Sequence, residues 1–598
     1  MIHYLAYVLF NFVVGLNGFY VERYIKPPEQ LSDAFRYDIS LDQAGKLHLF
    51  WDISPKTEDI FFLVKAKLEE GEWLGIGFSD YGEKENADLV IFYKTSFKKL
   101  ELVDTFTDNK GVVHVDKHQD YQLLGQKTTK DVTKLTFKRK FNTCDKQDYK
   151  IDNGTTHVIY FIGRTPIVSP RGQNLFKFQV GLQRTQLIKS QIPLPDLPDD
   201  VKIFDMTVKN VHVPSDETTY WCETHLLPNL PRKSHIIRYD GIVSNGHRSL
   251  VHHMEVFHCE APSGVKIPIF RGQCPDEGTM MQRGPSLLGM CKRVIGAWAM
   301  GAPPMVYPEN VGVPIGGDEM SRYVVVQVHF NNPDRVAGQI DSSGIRFYVS
   351  DEERQYEAGI MELGLEYTPK NSIPPRMNAF TLTGDCISEC TRTALPAEGI
   401  VIFASQLHTH TTGIRVYTKH VRNGIELPEL NRDDHYSPHF QEIRLLDTPR
   451  RILPGDALRT SCTYKTTHKE QITLGGFSIS DEMCVNYVHY YPKTSLEVCK
   501  SSVDTNVLNG FFKFMRQYDL DDTSNRNDVS SNLKSIRWTP LTSYLLNNLY
   551  NDNTLSMQCN QSSGERFPGI WENMRQTVIE YPLPIPRDEC KNCDKENE

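Results

Sequence analysis

The stretch GIVIFASQLHTHTTG, Gly399–Gly413, carries an apolar run into two histidines one residue apart. Its β-branched and aromatic residues, bounded by glycine at both ends, read as a buried strand. On a strand, residues i and i+2 share a face. His408 and His410 would therefore turn two imidazoles in one direction. Two buried neutral imidazoles each need hydrogen-bond partners, and a metal ion satisfies both lone pairs at once. The stretch predicts a β fold with either ordinary strand histidines or half of a metal site.

The same texture extends along the chain. LHLFWDI, IFFLVKAKL, WLGIGFS, ADLVIFY, KLTFKRKF and THVIYFIG predict a β-sandwich over about 33–165. QIPLPDLPDD (191–200) reads as a linker. KIFDMTVKNVHV, SLVHHMEVFHCE, RYVVVQVHF and GIRFYVS form a second set of strands over 200–350. AGIMELGLEY, FTLTG, GIVIFASQL, IRVYTKHVRNGIEL and QITLGGFSI form a third over 351–505. Asn423-Gly424 between alternating runs predicts a hairpin. In 506–598, LNGFFKFMRQY and TSYLLNNLY predict helices around a polar segment.

At 598 residues the chain is too long for a single core. Its 39% hydrophobic and 24% charged residues describe globular material. The net charge of −9 gathers in no tail, and without a basic stripe nucleic acid is not an expected partner. Thirteen cysteines, mostly widely spaced, suggest disulfides made in an oxidising compartment, and their odd number leaves one over. The sequons at Asn153 and Asn560 agree with secretion. Residues 1–22 contain no Lys, Arg, Asp or Glu before Glu22 and read as a signal peptide or signal anchor, the latter attaching the protein to a membrane. The polar C-terminus argues against a lipid-anchor signal.

Other histidines have competing readings. His252 and His253, in LVHHMEVFHC, are adjacent and would face opposite sides of a regular strand. To share one metal they need a twist or bulge. His329, in VVVQVHFNNP, matters as a third ligand. Met483, in DEMCVNYVHYYP, is a core filler or a soft thioether ligand that favours Cu(I). His435 and His439, in HYSPHF, have a helical zinc spacing, but Ser437-Pro438 breaks any helix there. They read as structural or surface residues.

Taken together, LVHHMEVFHC, HFNNP, DSSGIRFY, AGIMELGLEYTP, FASQLHTHTTG, DDHYSPHFQEIR, SCTY and DEMCVNYVHYYP resemble the copper type II, ascorbate-dependent monooxygenases. Within that family they resemble the dopamine and tyramine β-hydroxylase branch, over about residues 33–590. ENADLVIFY and QDYQLL resemble the DOMON domain of that branch. The resemblance implies a mainly β protein: a DOMON sandwich, two jelly-roll-like copper domains and a short, partly helical C-terminal region of a homo-oligomer, dimer or tetramer. It implies that His252, His253 and His329 hold an electron-transfer copper. His408, His410 and Met483 would hold the copper that activates oxygen. Tyr220, in TTYWC, and His408 would have active-site roles. Asp88, Leu89, Thr105 and Asp120 fall at a further metal site of the DOMON domain. Thr105 stands there in place of a small residue, which a contact through the backbone carbonyl would tolerate.

The implied disulfides are Cys144–Cys590, Cys222–Cys274, Cys259–Cys291, Cys386–Cys499, Cys390–Cys559 and Cys462–Cys484, leaving Cys593. The implied activity is copper- and ascorbate-dependent hydroxylation by O2 of the benzylic carbon of a phenylethylamine, in catecholamine or octopamine biosynthesis. The implied location is a secretory or synaptic vesicle or the extracellular space. A carboxylate is expected for the substrate amine, Glu362 being one candidate. Competing readings are a monooxygenase-like paralogue with another substrate, a non-catalytic copper-binding secreted glycoprotein, and a zinc hydrolase, which would not need Met483.

Overall fold

A computed structural model describes residues 35–590 apart from 43–44, 95–99, 130–131, 165–168, 248–249, 262–264, 275–289, 333, 519–521, 525 and 585–589. The expected signal segment 1–22 and Cys593 lie outside the described residues. The fold is mainly β, with three sandwiches in chain order.

The first sandwich packs a five-stranded sheet against a six-stranded one. Strand Leu47–Ser54 shows why: Leu47, Leu49, Trp51 and Ile53 alternate inwards. They meet Phe62, Phe92 and Phe137 in one core. Its six-stranded sheet ends on Gly181–Thr185, an edge strand beyond the stretch 33–165.

The second sandwich contains a five-stranded sheet in the order Arg271–Gln273, Thr218–Leu226, Tyr323–Asn331, Val251–Cys259, Cys291–Ala299. In Tyr323–Asn331, Val324, Val326, Val328 and Phe330 fill the core. Gln327, His329 and Asn331 are thereby left for the opposite face. The third sandwich sets Ile400–His408 between Arg444–Ile452 and Val485–Tyr491 in a six-stranded sheet. The Asn423-Gly424 hairpin forms, with both residues at positive φ (51° and 77°).

The C-terminal region shares the core of the third sandwich. Helix Thr505–Tyr518 buries Leu508, Phe511, Phe512 and Met515 beside Leu365, Ile373 and Val416. Strand Leu555–Gln561 completes the sheet edge against Leu496–Val503. Helix Pro540–Asp552 forms as expected, and the polar segment holds a short helix, Val529–Ser535. One expected strand does not form: in QITLGGFSI only isolated bridges, Ile373–Thr473 and Gly475–Glu482, are present. A Cβ on Gly475 would lie 2.4 Å from the Thr368 carbonyl oxygen, so the backbone here packs against backbone instead of pairing in a ladder. Among the described residues no helix is long and apolar enough to cross a membrane.

Candidate active site

Strand register assembles the first histidine cluster. His329 lies opposite Tyr220 on one side and His253 on the other, giving a row across three strands. His252 joins them because the pairing shifts between Val251 and His253, a β-bulge that turns two adjacent side chains to one face. His253 Nδ1 lies 3.1 Å from His252 Nδ1 and 3.3 Å from His329 Nδ1. The His252 Nε2 atom lies 2.9 Å from the His439 carbonyl oxygen, which only accepts, so the lone pair of His252 is on Nδ1. Nitrogens about 2.0 Å from a first-row metal are about 3.3 Å apart at tetrahedral angles; the two pairs through His253 have that spacing, and all three ligand atoms lie within 4.8 Å of one another. Tyr220 stacks on His329 with ring centroids 4.3 Å apart and planes 8° apart.

The second cluster is built at a strand end. Strand Ile400–His408 stops at His408, and His410 is carried by the turn beyond it, with the ring planes at 89° and centroids 5.3 Å apart. The shared face therefore owes less to strand alternation than to the partners of the turn. His408 Nδ1 lies 2.6 Å from Gln441 Oε1, and His410 Nδ1 lies 3.0 Å from the Asp481 carbonyl oxygen. Both acceptors place the proton on Nδ1 and leave Nε2 as the ligand atom. The buried Glu482 carboxylate accepts from the backbone N–H groups of His410 (2.9 Å) and Thr412 (2.6 Å) and from the Thr412 hydroxyl (2.8 Å). Met483, next in the chain, is fixed by a 2.8 Å bond from Tyr464 Oη to its carbonyl oxygen.

Both clusters line one cavity of about 2620 Å³, together with Tyr220, Glu362 and Met483. Burial holds the His253, His329 and His408 imidazoles neutral there. Burial lowers His253 to about 3, His329 to about 2 and His408 to about 4, with smaller contributions from neighbouring histidines. His408 is close enough to His253 for its charge to bear on that ring. Neutral imidazole and thioether donors fit copper, so the donor sets match the metal that the sequence implies.

Glu362 reaches the cavity with its Oε2 engaged by Lys500 and by Tyr367 Oη, the latter at 2.8 Å. Tyr367 Oη is also 3.3 Å from Tyr487 Oη. His439 has a larger part than its sequence suggested, because its carbonyl meets His252 and its side chain lines the cavity. Gln441 and Glu482 were not picked out from sequence: a glutamine between Phe440 and Glu442, and an acid in a run of two, carry no periodic signal.

The DOMON residues are arranged differently from the expected set. The Asp88 carboxylate is taken up by Arg139, by Tyr121 Oη (3.0 Å) and by the Tyr149 N–H (2.9 Å). The Leu89 carbonyl accepts from the Thr105 hydroxyl at 3.0 Å, and the Asp120 N–H donates to Asp104 at 2.8 Å. Two groups of side chains here bring ligand atoms within 4.8 Å of one another: Asp88, Asp104 and Asp148, and Asp116, His118 and Asp145. Burial, then Asp88 and Asp148, pushes Asp104 up to about 9.

Disulfides join Cys144–Cys590, Cys222–Cys274, Cys259–Cys291, Cys386–Cys499, Cys390–Cys559 and Cys462–Cys484, as an oxidising compartment allows. Asn153 is exposed and Asn560 half-buried on an edge strand.

Residues 204–337 match the N-terminal domain and residues 356–512 the C-terminal domain of the copper type II ascorbate-dependent monooxygenases, and residues 43–163 match a DOMON domain. The chain belongs to this family and is a copper-dependent monooxygenase of the dopamine/tyramine β-hydroxylase type. It is 46% identical to dopamine beta-hydroxylase of Homo sapiens, over 93% of this chain and 89% of that one. It is 44% identical to the Equus caballus protein of that name, over 94% and 91%. With tyramine beta-hydroxylase of Caenorhabditis briggsae it shares 35% identity over 88% and 89%.

Proposed function

We propose that the protein hydroxylates the benzylic carbon of a phenylethylamine, converting tyramine to octopamine or dopamine to noradrenaline, in a vesicle of the secretory pathway or outside the cell. The observation that carries this reading is one cavity lined by two unlike donor sets, three imidazoles on one side and two imidazoles with a thioether on the other. The reaction consumes O2, two electrons and two protons and yields the alcohol and water. Copper bound at the two clusters would supply those electrons one at a time, with ascorbate as the one-electron donor.

In this reading His252, His253 and His329 hold one ion through Nδ1, and Tyr220 keeps the His329 ring in place. His408 and His410 hold the other through Nε2, with Met483 as third ligand. Gln441 and the Asp481 carbonyl fix the two tautomers, and Glu482 clamps the turn between them. Glu362 Oε1, the oxygen left after Lys500 and Tyr367 engage Oε2, receives the substrate ammonium. The domain limits that go with it are a signal or anchor at 1–22, DOMON at 33–165, copper domains at 200–350 and 351–505, and a dimerisation region at 506–598. Glycans would sit on Asn153 and Asn560.

Copper-loaded protein with ascorbate and O2, offered tyramine, dopamine and a glycine-extended peptide, tests this. Hydroxylated amine is expected. Turnover of the peptide alone, or of none of the three, would overturn it.

A further inference from the structure

One cationic side chain on the cavity wall has no counter-charge. Arg184 lies on the edge strand Gly181–Thr185 of the DOMON sandwich, and the cavity that holds both histidine clusters is also lined by this residue. Among the described residues its guanidinium makes no hydrogen bond and no ion pair, and its Nε is buried without a partner. Two more deeply buried arginines are paired: Arg139 is met by Asp88, and Arg444 by Asp433 and Glu442. A guanidinium presents N–H donors in a planar fork suited to a delocalised anion. Leaving it unpaired in a partly desolvated wall is costly unless an anion completes it.

Its surroundings narrow the ligand. The edge strand that carries Arg184 reaches the first cluster: Gln183 Nε2 lies 3.8 Å from the Met300 sulfur, and the Met300 N–H donates to the His252 carbonyl at 2.9 Å. This places it on the side of the three-histidine cluster, whereas Glu362 and Tyr487 stand with His408. Next to Arg184, Gln183 lines the same cavity with its amide already engaged: Nε2 donates to the Ser40 carbonyl at 3.3 Å, and Oε1 accepts from the Arg184 backbone N–H at 3.0 Å. A cationic amine would be repelled at this point. A small, planar, hydroxylated monoanion would be held by the fork. The family's reductant, ascorbate, is such an anion.

We propose that Arg184, on the edge strand Gly181–Thr185 of the first sandwich, docks the ascorbate monoanion beside the His252–His253–His329 cluster. The first sandwich thereby supplies one wall of the catalytic cavity and the electron donor's binding site. The proposal rests on the copper reading above for the position of the first metal, and not on which amine is the substrate.

Arg184→Met and Arg184→Lys in the full-length, copper-loaded, pre-reduced protein test it. Ascorbate binding is read anaerobically by saturation-transfer NMR, and the KM values for ascorbate and tyramine by steady-state assay. Arg184→Met is expected to weaken ascorbate binding and raise the ascorbate KM at least tenfold, with less than a twofold change in the tyramine KM. Arg184→Lys, which keeps the charge, is expected to recover part of the loss. Acetate should compete far more weakly than ascorbate in the wild type. Wild-type ascorbate binding in Arg184→Met would overturn the proposal, as would equal binding of acetate and ascorbate, which marks a generic anion site. Chemically reduced wild type that forms no octopamine in a single turnover would sink the amine reading while leaving the binding result to stand.

Discussion

Gln441 decides which nitrogen of His408 faces the cavity, because its Oε1, 2.6 Å away, demands the proton on Nδ1. Gln441→Leu removes that acceptor and should weaken metal binding at the second cluster by roughly 10–100-fold. Competition with a Cu(I) chelator measures this, and a change below twofold would contradict the role. The candidate ligands themselves could be picked out from sequence: His408, His410 and Met483 are marked by residue type and by the apolar strand before them. Their supports were not, since a loop glutamine and the Glu482 carboxylate look like any surface residues until folded. Asp104 gives a second prediction at this scale. With its folded value raised to about 9 from a usual 3.8, it keeps a proton in the fold that the unfolded chain releases. The stability it contributes is complete below about pH 4 and is lost as pH rises towards 9. Asp104→Asn, which keeps an acceptor for the Asp120 N–H, should therefore gain stability relative to wild type on going from pH 5 to pH 8.5. Urea unfolding at both pH values reads the difference, and a pH-independent offset would contradict it.

Strands carry the first cluster, and their alternation predicts His329 facing away from Val324, Val326, Val328 and Phe330. Alternation also predicts His252 and His253 on opposite faces. The bulge between Val251 and His253 overrides it. A bulge leaves no mark on hydrophobic period, so the sequence left open whether this pair converges. The loop at QITLGGFSI failed as a strand for a similar reason: its residues suit a sheet, but Gly475 and Gly476 let the backbone press against Thr368 and Asp481. Close backbone approach makes a further prediction at Gly384. A Cβ there would fall 2.1 Å from the Gly364 carbonyl oxygen, between the strands Phe380–Cys386 and Gly359–Leu365. Gly384→Ala should cost about 1–3 kcal/mol or more, because the neighbour is backbone and has little room to move. An unchanged denaturation midpoint would contradict that packing.

One sandwich, two further sets of strands in order and a helical end were readable from strand-rich runs and the proline-rich linker. Their mutual placement was not, because the deciding contacts join residues far apart in the chain. Asp433 in the third sandwich accepts from the Thr155 N–H at 3.1 Å and the Thr155 hydroxyl at 2.6 Å in the first, and pairs with Arg444 at 3.0 Å. Removing one partner of a buried pair costs about 3–5 kcal/mol, so Asp433→Ala should loosen this junction and speed proteolysis in the 191–200 linker. Wild-type cleavage rates there would contradict it. At the scale of the whole molecule, two separate copper centres are expected to share the one cavity that both histidine clusters line. Metal analysis of the wild type, of His252→Ala/His329→Ala and of His408→Ala/His410→Ala, each with an amine hydroxylation assay, addresses this most directly. The expected result is two coppers per chain in the wild type, about one in each double variant, and hydroxylation only in the wild type. A wild type that binds a single copper, or a double variant that keeps both, would contradict the two-centre account.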